Sequence, residues 1–462
     1  MTSRLIIRNV TVIDGTGADP QPASAITVGS DGRIAAVSRE DPAAPPPPGA
    51  EVFDGGGRYA IPGLMDGNVH LVAARTPDTL LEFEGRYEQL VREAAELTLK
   101  YGVTTVFDSW GPAGPLTRVR DAISRGEVNG SRILCAGNII GLSGPLSGDF
   151  VAPGAFLERA AVERINWEWE RGVGADLGFM TAAQVSEAVS AYIEETGVDF
   201  IKWAATDHIA GSRMQYHVFS ELVQGTIAET ARSHGRPIQA HTTTVDSLRI
   251  SVDLEVDLLQ HGDLTYGRAI PGELLDRIAE KDLITGGRFI TRRHMEWTEK
   301  SAAFAGRREM RRISEANQGG LLARNARIAM ATDGFAYGPR VWNHPGFRAG
   351  TLSPEVPDQP VQLGCGHLPW IAGAFERGMG PMEVLRSLTS HPAEAYGIAE
   401  EVGTLEVGKV ADVVLLDRNP LEDHTAYADV SEVFKEGRLI DRKALAIDME
   451  LGEDIRSVRG RG

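Results

Sequence analysis

A set of residues in this chain could bind or work beside a divalent metal, and each sits in the same kind of local setting. Asn68 and His70 stand two apart in DGNVHLV, Lys202 lies in DFIKWAAT, His241 in IQAHT, His261 in LLQHG and Asp333 in MATDG. Each belongs to a short, strand-like run. Residues two apart in a strand point to the same side, so Asn68 and His70 share a face. A lone strand-end histidine is ordinarily a hydrogen-bonded structural group. Recurrence at the same end of successive strands points instead to one shared centre of imidazole, carboxylate and amide donors.

Lys202 sharpens this reading. It is flanked by Phe200, Ile201 and Trp203, where a charged ammonium is costly to bury and desolvation lowers the amine's pKa. A neutral amine can add carbon dioxide. The carbamate so formed is anionic and carboxylate-like, and can bridge two cations. The plainer alternative is a lysine paired with Asp199 or Asp333.

The elements that must position these residues alternate along the chain. Strand-like segments at 64–71, 103–108, 132–136, 198–203, 237–241, 256–261, 282–290 and 327–333 are separated by helical patterns such as 87–101 and 182–196. That is the pattern of parallel βαβ units. It predicts an α/β fold, a (β/α)8 TIM barrel, which needs about 250 residues. The span 61–398 is longer, so long loops are expected at 139–180 and 335–368. Barrel active sites sit at the C-terminal ends of the strands, where the candidate residues fall. Both chain ends read as β. Segments 4–13 and 25–37 are rich in β-branched residues and carry the turn pairs Asp14-Gly15 and Asp31-Gly32. Residues 408–417 form one apolar run, and 433–440 a hairpin around Glu436-Gly437. The expected organisation is a composite β-sandwich from 1–60 and 399–462 beside a barrel at 61–398.

Composition narrows the function. The chain has 462 residues, 42% hydrophobic and 24% charged, an ordinary globular balance. With 47 Lys+Arg against 64 Asp+Glu, the net charge is −17. Such a surface repels phosphate backbones and anionic bilayers, so neither nucleic acid nor membrane is an expected partner. Only Cys135 and Cys365 are present, which excludes a disulfide framework and a cysteine zinc site. The N-terminal apolar run is too short for a signal peptide, and no stretch approaches the roughly 18 apolar residues of a membrane helix. A cytoplasmic protein is expected, with any metal held by His, Asp, Glu or Lys.

The motifs RNVTVIDGTG, IPGLMDGNVHL, DFIKWAA, AHT, QHG, ATDG and LTSHPAEAYGIAEEVGTLEVGKVADVVLLDRNPLED follow one another in a recognisable order. Over nearly its whole length the chain resembles the amidohydrolase superfamily of metal-dependent hydrolases, in particular its imidazolonepropionase- and prolidase-like branch. The resemblance implies the barrel and sandwich, and assigns roles. Lys202 looks like the carbamylated, metal-bridging lysine. His241 and His261 look like ligands of the more exposed metal, and His70 like a ligand of the buried one. Asp333 looks like the last ligand and the catalytic acid/base. Bound to a metal, water falls in pKa toward about 7, and Asp333 can pass its proton to the leaving nitrogen. The relatives are often homo-oligomers, so a homo-oligomer is expected.

One position departs from the pattern. The family has His-x-His where this chain has Asn68-Val69-His70. An amide oxygen is a neutral, hard ligand, whereas zinc favours imidazole. Asn68 could bind metal through oxygen, the buried site could be empty, or both sites could be weakened. One or two divalent ions are expected, zinc foremost, with manganese or iron as alternatives. The leading reading is a hydrolase of a non-peptide C–N bond, such as an amide or cyclic amide, in a small molecule. A lyase, decarboxylase or cyclase using one metal as Lewis acid is the second reading, and a barrel that only binds is the third.

Four further residues are candidates for substrate contact. Arg292 and His294 lie in ITRRHMEW, where an arginine could clamp a carboxylate; a solvated basic loop is the alternative. His208 follows the lysine strand, and His367 precedes a helix in GHLPW. His344, with Trp342 and Phe347, reads as a lid or a loop anchor. Trp167 and Trp169 read as a pocket wall or a subunit contact.

Overall fold

The computed structural model describes residues 3–41, 45–73, 76–146, 158–208, 215–301, 308–335 and 356–445. The N-terminal segment folds as β1 (Ser3–Val12), β2 (Gln21–Gly29), β3 (Ile34–Arg39) and β4 (Glu51–Pro62). Strands β2 and β3 turn at Asp31-Gly32, as expected. Gly32 has φ +78°, and a Cβ there would stand 2.7 Å from the carbonyl oxygen of Glu436, so only glycine fits. Strand β4 had no sequence signal, because Gly55, Gly56 and Gly57 interrupt its alternation. It is held by pairing, parallel to β1.

The middle of the chain supplies β5 (Leu64–His70), β6 (Val103–Asp108), β7 (Arg132–Cys135), β8 (Ile201–Ala204), a hairpin of β9 (Thr206–His208) and β10 (Gln215–His217), then β11 (Ile238–His241), β12 (Leu258–Gln260), β13 (Ile284–Gly287), β14 (Ile328–Met330) and β15 (Gly334–Phe335). The expected strands are all present, several of them shorter. The β9–β10 hairpin was not expected. The helix at Ala182–Thr196 has the expected limits. Thr181 and Gln184 form a capping box at its start, and Gly197 ends it at φ +65°. The segment 139–180, read as a loop, contains a helix at Arg159–Glu170. It is anchored by Trp169, which is buried edge-on against Trp110 with ring centroids 6.4 Å apart.

These strands form two parallel sheets, β15-β5-β6-β7 and β8-β11-β12-β13-β14. The sheets meet at both margins. Beyond β7, Ile140 bridges to Trp203 of β8. Just beyond β14, Asp333 N donates to the Asn68 carbonyl at 3.0 Å, and β15 continues along β5. The C-terminal ends of β5, β8, β11 and β12, and the turn after β14, are thereby gathered on one side.

The chain closes with β16 (Val413–Leu416), β17 (Val430–Lys435) and β18 (Arg438–Leu439). They join the N-terminal strands in one seven-stranded mixed sheet, β18-β17-β16-β4-β1-β2-β3. Both chain ends thus build a single small layer, consistent with the composite β domain expected. Strand β16 is buried on both faces, which explains its unbroken apolar run. Val413 and Leu415 join the small core with Ile7, Ile26 and Phe434. Val414 and Leu416 face the main core. Arg132 on β7 pairs with the buried Asp412 at 2.7 Å, tying the layers together.

Candidate metal centre

Side chains from the gathered strand ends converge on Asp333. Asn68 Nδ2 donates to Asp333 Oδ1 at 2.8 Å, and His70 Nε2 lies 3.1 Å from the same oxygen. His261 Nε2 is 3.9 Å from it, and an Arg288 guanidinium nitrogen is 3.6 Å from Oδ2. The rings of His241 and His261 stand edge to face with centroids 4.8 Å apart. Lys202 is buried at 1% exposure, and its Nζ donates to Asn68 Oδ1 at 3.2 Å and to Ser109 Oγ at 3.0 Å. Ser109 and Gln239 also donate to Asn68 Oδ1. His261 and Asp333 both have φ +59°. That conformation is uncommon outside glycine, with Asp and His among the more tolerant residues. It turns the chain as it leaves each strand.

Burial and charge set the protonation states. Burial would raise the Asp333 carboxyl, but His261, the His70 hydrogen bond and Arg288 hold it well below the usual range. Burial takes the His261 ring down to about 3, so it is neutral near pH 7. At that pH, the Arg288 guanidinium and the His70 hydrogen bond remain beside the Asp333 carboxylate. Asp108, at the end of β6, is pushed up to about 6 by burial, against the opposing charges of His70 and Lys202. Its two oxygens accept from the backbone N–H groups of Leu71 and Trp110. It therefore locks the chain after His70 to Trp110, whose ring lies edge-on to His70 at 6.0 Å.

The donor set fits a divalent ion on chemical grounds. Imidazole and carboxylate suit zinc, iron or manganese. Two ligands of one tetrahedral zinc stand about 3.3 Å apart. The 3.1 and 3.9 Å separations of His70 and His261 from Asp333 Oδ1 bracket that value. Among the described residues, no three His, Cys, Asp or Glu side chains stand in coordination spacing as they are. The Asp333 carboxylate is turned onto Asn68 and His70 instead. His70 Nδ1 is buried without a hydrogen-bond partner. Asn68 Oδ1 is already an acceptor for Lys202, Gln239 and Ser109, so a metal bound there would have to displace them.

Asn68, His70, Lys202, His261 and Asp333 are therefore brought together, with His241 beside His261. The alternative partner for Lys202, Asp199, is held by Arg120 at 3.0 Å. Of the substrate candidates, Arg292, His294 and His367 do not join the cluster. Arg292 is exposed, and its guanidinium donates to the carbonyl of Glu376. His294 is buried with Nδ1 3.0 Å from the carbonyl of Pro357, and burial takes it to about 4. His367 is buried at a helix start and is likewise taken to about 4 by burial, opposed by a hydrogen bond with the Gly364 backbone. The side chain of His208, and His344 with Trp342 and Phe347, lie outside the described residues. Trp169 backs Trp110, whereas Trp167 is 71% exposed. Sequence reasoning missed Ser109, Gln239 and Arg288. Gln239 was within reach, since it lies two before His241 on the same face. Ser109 and Arg288 directly follow strands that carried no recognised ligand.

Comparison with known proteins bears on the fold. The model of the amidohydrolase family matches residues 59–440. Imidazolonepropionase of Symbiobacterium thermophilum is 42% identical over 84 residues, spanning 17% of this chain and 17% of that protein. The structure of molinate hydrolase superposes with a TM-score of 0.88 at 33% identity, covering 96% of each chain. Phenylurea hydrolase B gives 0.86 at 36% identity, covering 96% of this chain and 98% of the other. A Xaa-Pro dipeptidase shares the fold at 19% identity with a TM-score of 0.70.

Proposed function

This chain belongs to the amidohydrolase family, and from that premise we propose that it is a metal-dependent hydrolase of a non-peptide C–N bond in a small amide, cyclic amide or urea. The observation that carries the proposal is the convergence of Asn68, His70, His261 and Arg288 on the two oxygens of Asp333. Likeness to phenylurea hydrolase B over almost the whole chain supports the urea class. On this reading the two parallel sheets, joined at both margins, form the (β/α)8 barrel at 61–398. Segments 1–60 and 399–462 form the small β-sandwich domain.

His241, His261 and Asp333 would hold one divalent ion, zinc foremost, with Lys202 adding an oxygen as its carbamate. When bound, the ion supplies a lowered water pKa and a polarised carbonyl. Asp333 accepts the proton of the attacking water and delivers it to the leaving nitrogen. The Asn68 amide and Arg288 hold its carboxylate in place, so it is oriented before substrate arrives. Trp110, backed by Trp169 and held through Nε1 to Asn138 at 3.0 Å, screens the His70 side from water. A second ion at Asn68 and His70 would require Asn68 to give up its present donors.

Metal analysis of the purified protein, with turnover of an amide and urea panel, tests this. About one equivalent of metal, and activity lost to a chelator and restored by metal, is the expected result. Metal-free protein that still turns over the panel would sink it. The lyase, decarboxylase or cyclase reading is separated by Asn68→His. Hydrolysis that appears only in that variant would favour it.

A further inference from the structure

Beside the centre lies a narrow cleft between the ends of β12 and β13 and the helix at Arg308–Leu322. Its lining includes His261, Asp263, Met295, Met310, Gln318 and three arginines, Arg288, Arg311 and Arg377. His261 and Arg288 also face Asp333, so the cleft begins one side chain from the reacting carboxylate. Asp263 is buried at 1% exposure and Gln318 at 2%. Asp263 Oδ2 accepts from Ser314 Oγ at 2.8 Å and from Gln318 Nε2 at 2.5 Å. Gln318 Nε2 also donates to the Arg288 carbonyl at 3.2 Å. These bonds fix the orientation of both side chains. They leave Asp263 Oδ1 and Gln318 Oε1 as buried acceptors with no hydrogen-bond partner. Buried acceptors are almost always satisfied, and a buried carboxylate oxygen without a donor is costly. Both belong to residues that line one cleft beside Asp333, and a ligand that brings N–H groups there would satisfy them.

We propose that this cleft is a substrate subsite in which Asp263 and Gln318 accept hydrogen bonds from an N–H-bearing arm, such as a urea or primary amide nitrogen. The inference rests on the hydrolase reading for the identity of that arm, whereas the two acceptors are a property of the cleft itself. The apolar walls from Met295 and Met310 suit a carbon substituent beside the nitrogen. Occupation would require Met310 or a neighbouring side chain to yield, since the cleft is narrow.

The test compares phenylurea with its fully N-methylated analogue on the holoenzyme, as Kd where the probe is not turned over and as KM and kcat where it is. Wild type should favour phenylurea by about tenfold or more, the worth of hydrogen bonds to a charged acceptor. Asp263→Asn keeps an acceptor for Ser314 and Gln318 while presenting an amide donor in place of Oδ1. Its preference should fall to about parity or invert, with KM moving more than kcat. Gln318→Met removes the second acceptor and serves if Asp263→Asn does not fold. Equal binding of both probes to wild type, no binding of either, or a folded Asp263→Asn that keeps the wild-type preference overturns the proposal. The last result would be expected if a buried water merely satisfied both acceptors. Turnover of the panel with no Asp263→Asn effect sinks the subsite alone. The donor preference without any turnover sinks the hydrolase reading alone.

Discussion

Asn68 and Asp333 are joined twice across the ends of β5 and β14. The Asn68 amide donates to Asp333 Oδ1 at 2.8 Å, and Asp333 N donates to the Asn68 carbonyl at 3.0 Å. Asn68 is thus a working member of the cluster. It holds the Asp333 carboxylate and at the same time accepts from Lys202, Gln239 and Ser109. Asn68→Ala removes both functions. Stability should fall by about 1–3 kcal/mol for each buried donor left without its acceptor, and kcat by roughly 10–100-fold. Urea unfolding and steady-state kinetics read the two effects. Wild-type values in both would show that Asn68 has no such role.

Lys202 should be replaceable only by another source of an anionic oxygen. Lys202→Ala is expected to lose metal and at least about 100-fold in activity. Short carboxylic acids, which can occupy the vacated space, should restore part of both. Lys202→Arg should not respond to them. Metal content measured with and without added acid decides, and full metal retention in Lys202→Ala would remove the carbamate from the mechanism.

Arg288 contributes charge rather than packing, since its side chain is 30% exposed and its guanidinium faces Asp333 Oδ2 at 3.6 Å. Arg288→Met should lower kcat by about 10–100-fold with little change in the melting temperature. Arg292→Met, at an exposed position on Glu376, should leave kcat near wild type. Equal losses in the two variants would contradict the placement of Arg288 at the centre.

Acid sensitivity of the fold should come in part from histidines buried as neutral rings. Burial takes His391 and His367 to about 4, below the unfolded value. The unfolded chain therefore binds more protons than the folded one as pH drops through about 6.5. Their stabilising effect is present above about pH 6.5 and is lost toward pH 4, at up to about 3 kcal/mol for each. Urea midpoints at pH 7.5 and 5 check this. His391→Gln should be less stable at pH 7.5 yet lose less on acidification, and an unchanged pH slope would contradict it.

Much of the architecture could be read from the chain itself. Strand and helix periodicity placed the alternating elements, and Asp31-Gly32 was a local signal for a turn. The apolar run in β16 reflected burial on both faces. The types and strand-end positions of His70, Lys202, His241, His261 and Asp333 already implied one shared cluster, because those properties are local. Strand β4 escaped notice because its glycines carry no alternation and its pairing partners lie far away in sequence. The companions of the centre escaped for the same reason. That Arg288 rather than Arg292 meets Asp333, and that Asn68 serves as a hydrogen-bond hub, depends on how strand ends distant in sequence are brought side by side. Only tertiary packing sets the few ångströms that decide between a ligand, a positioning group and a surface charge.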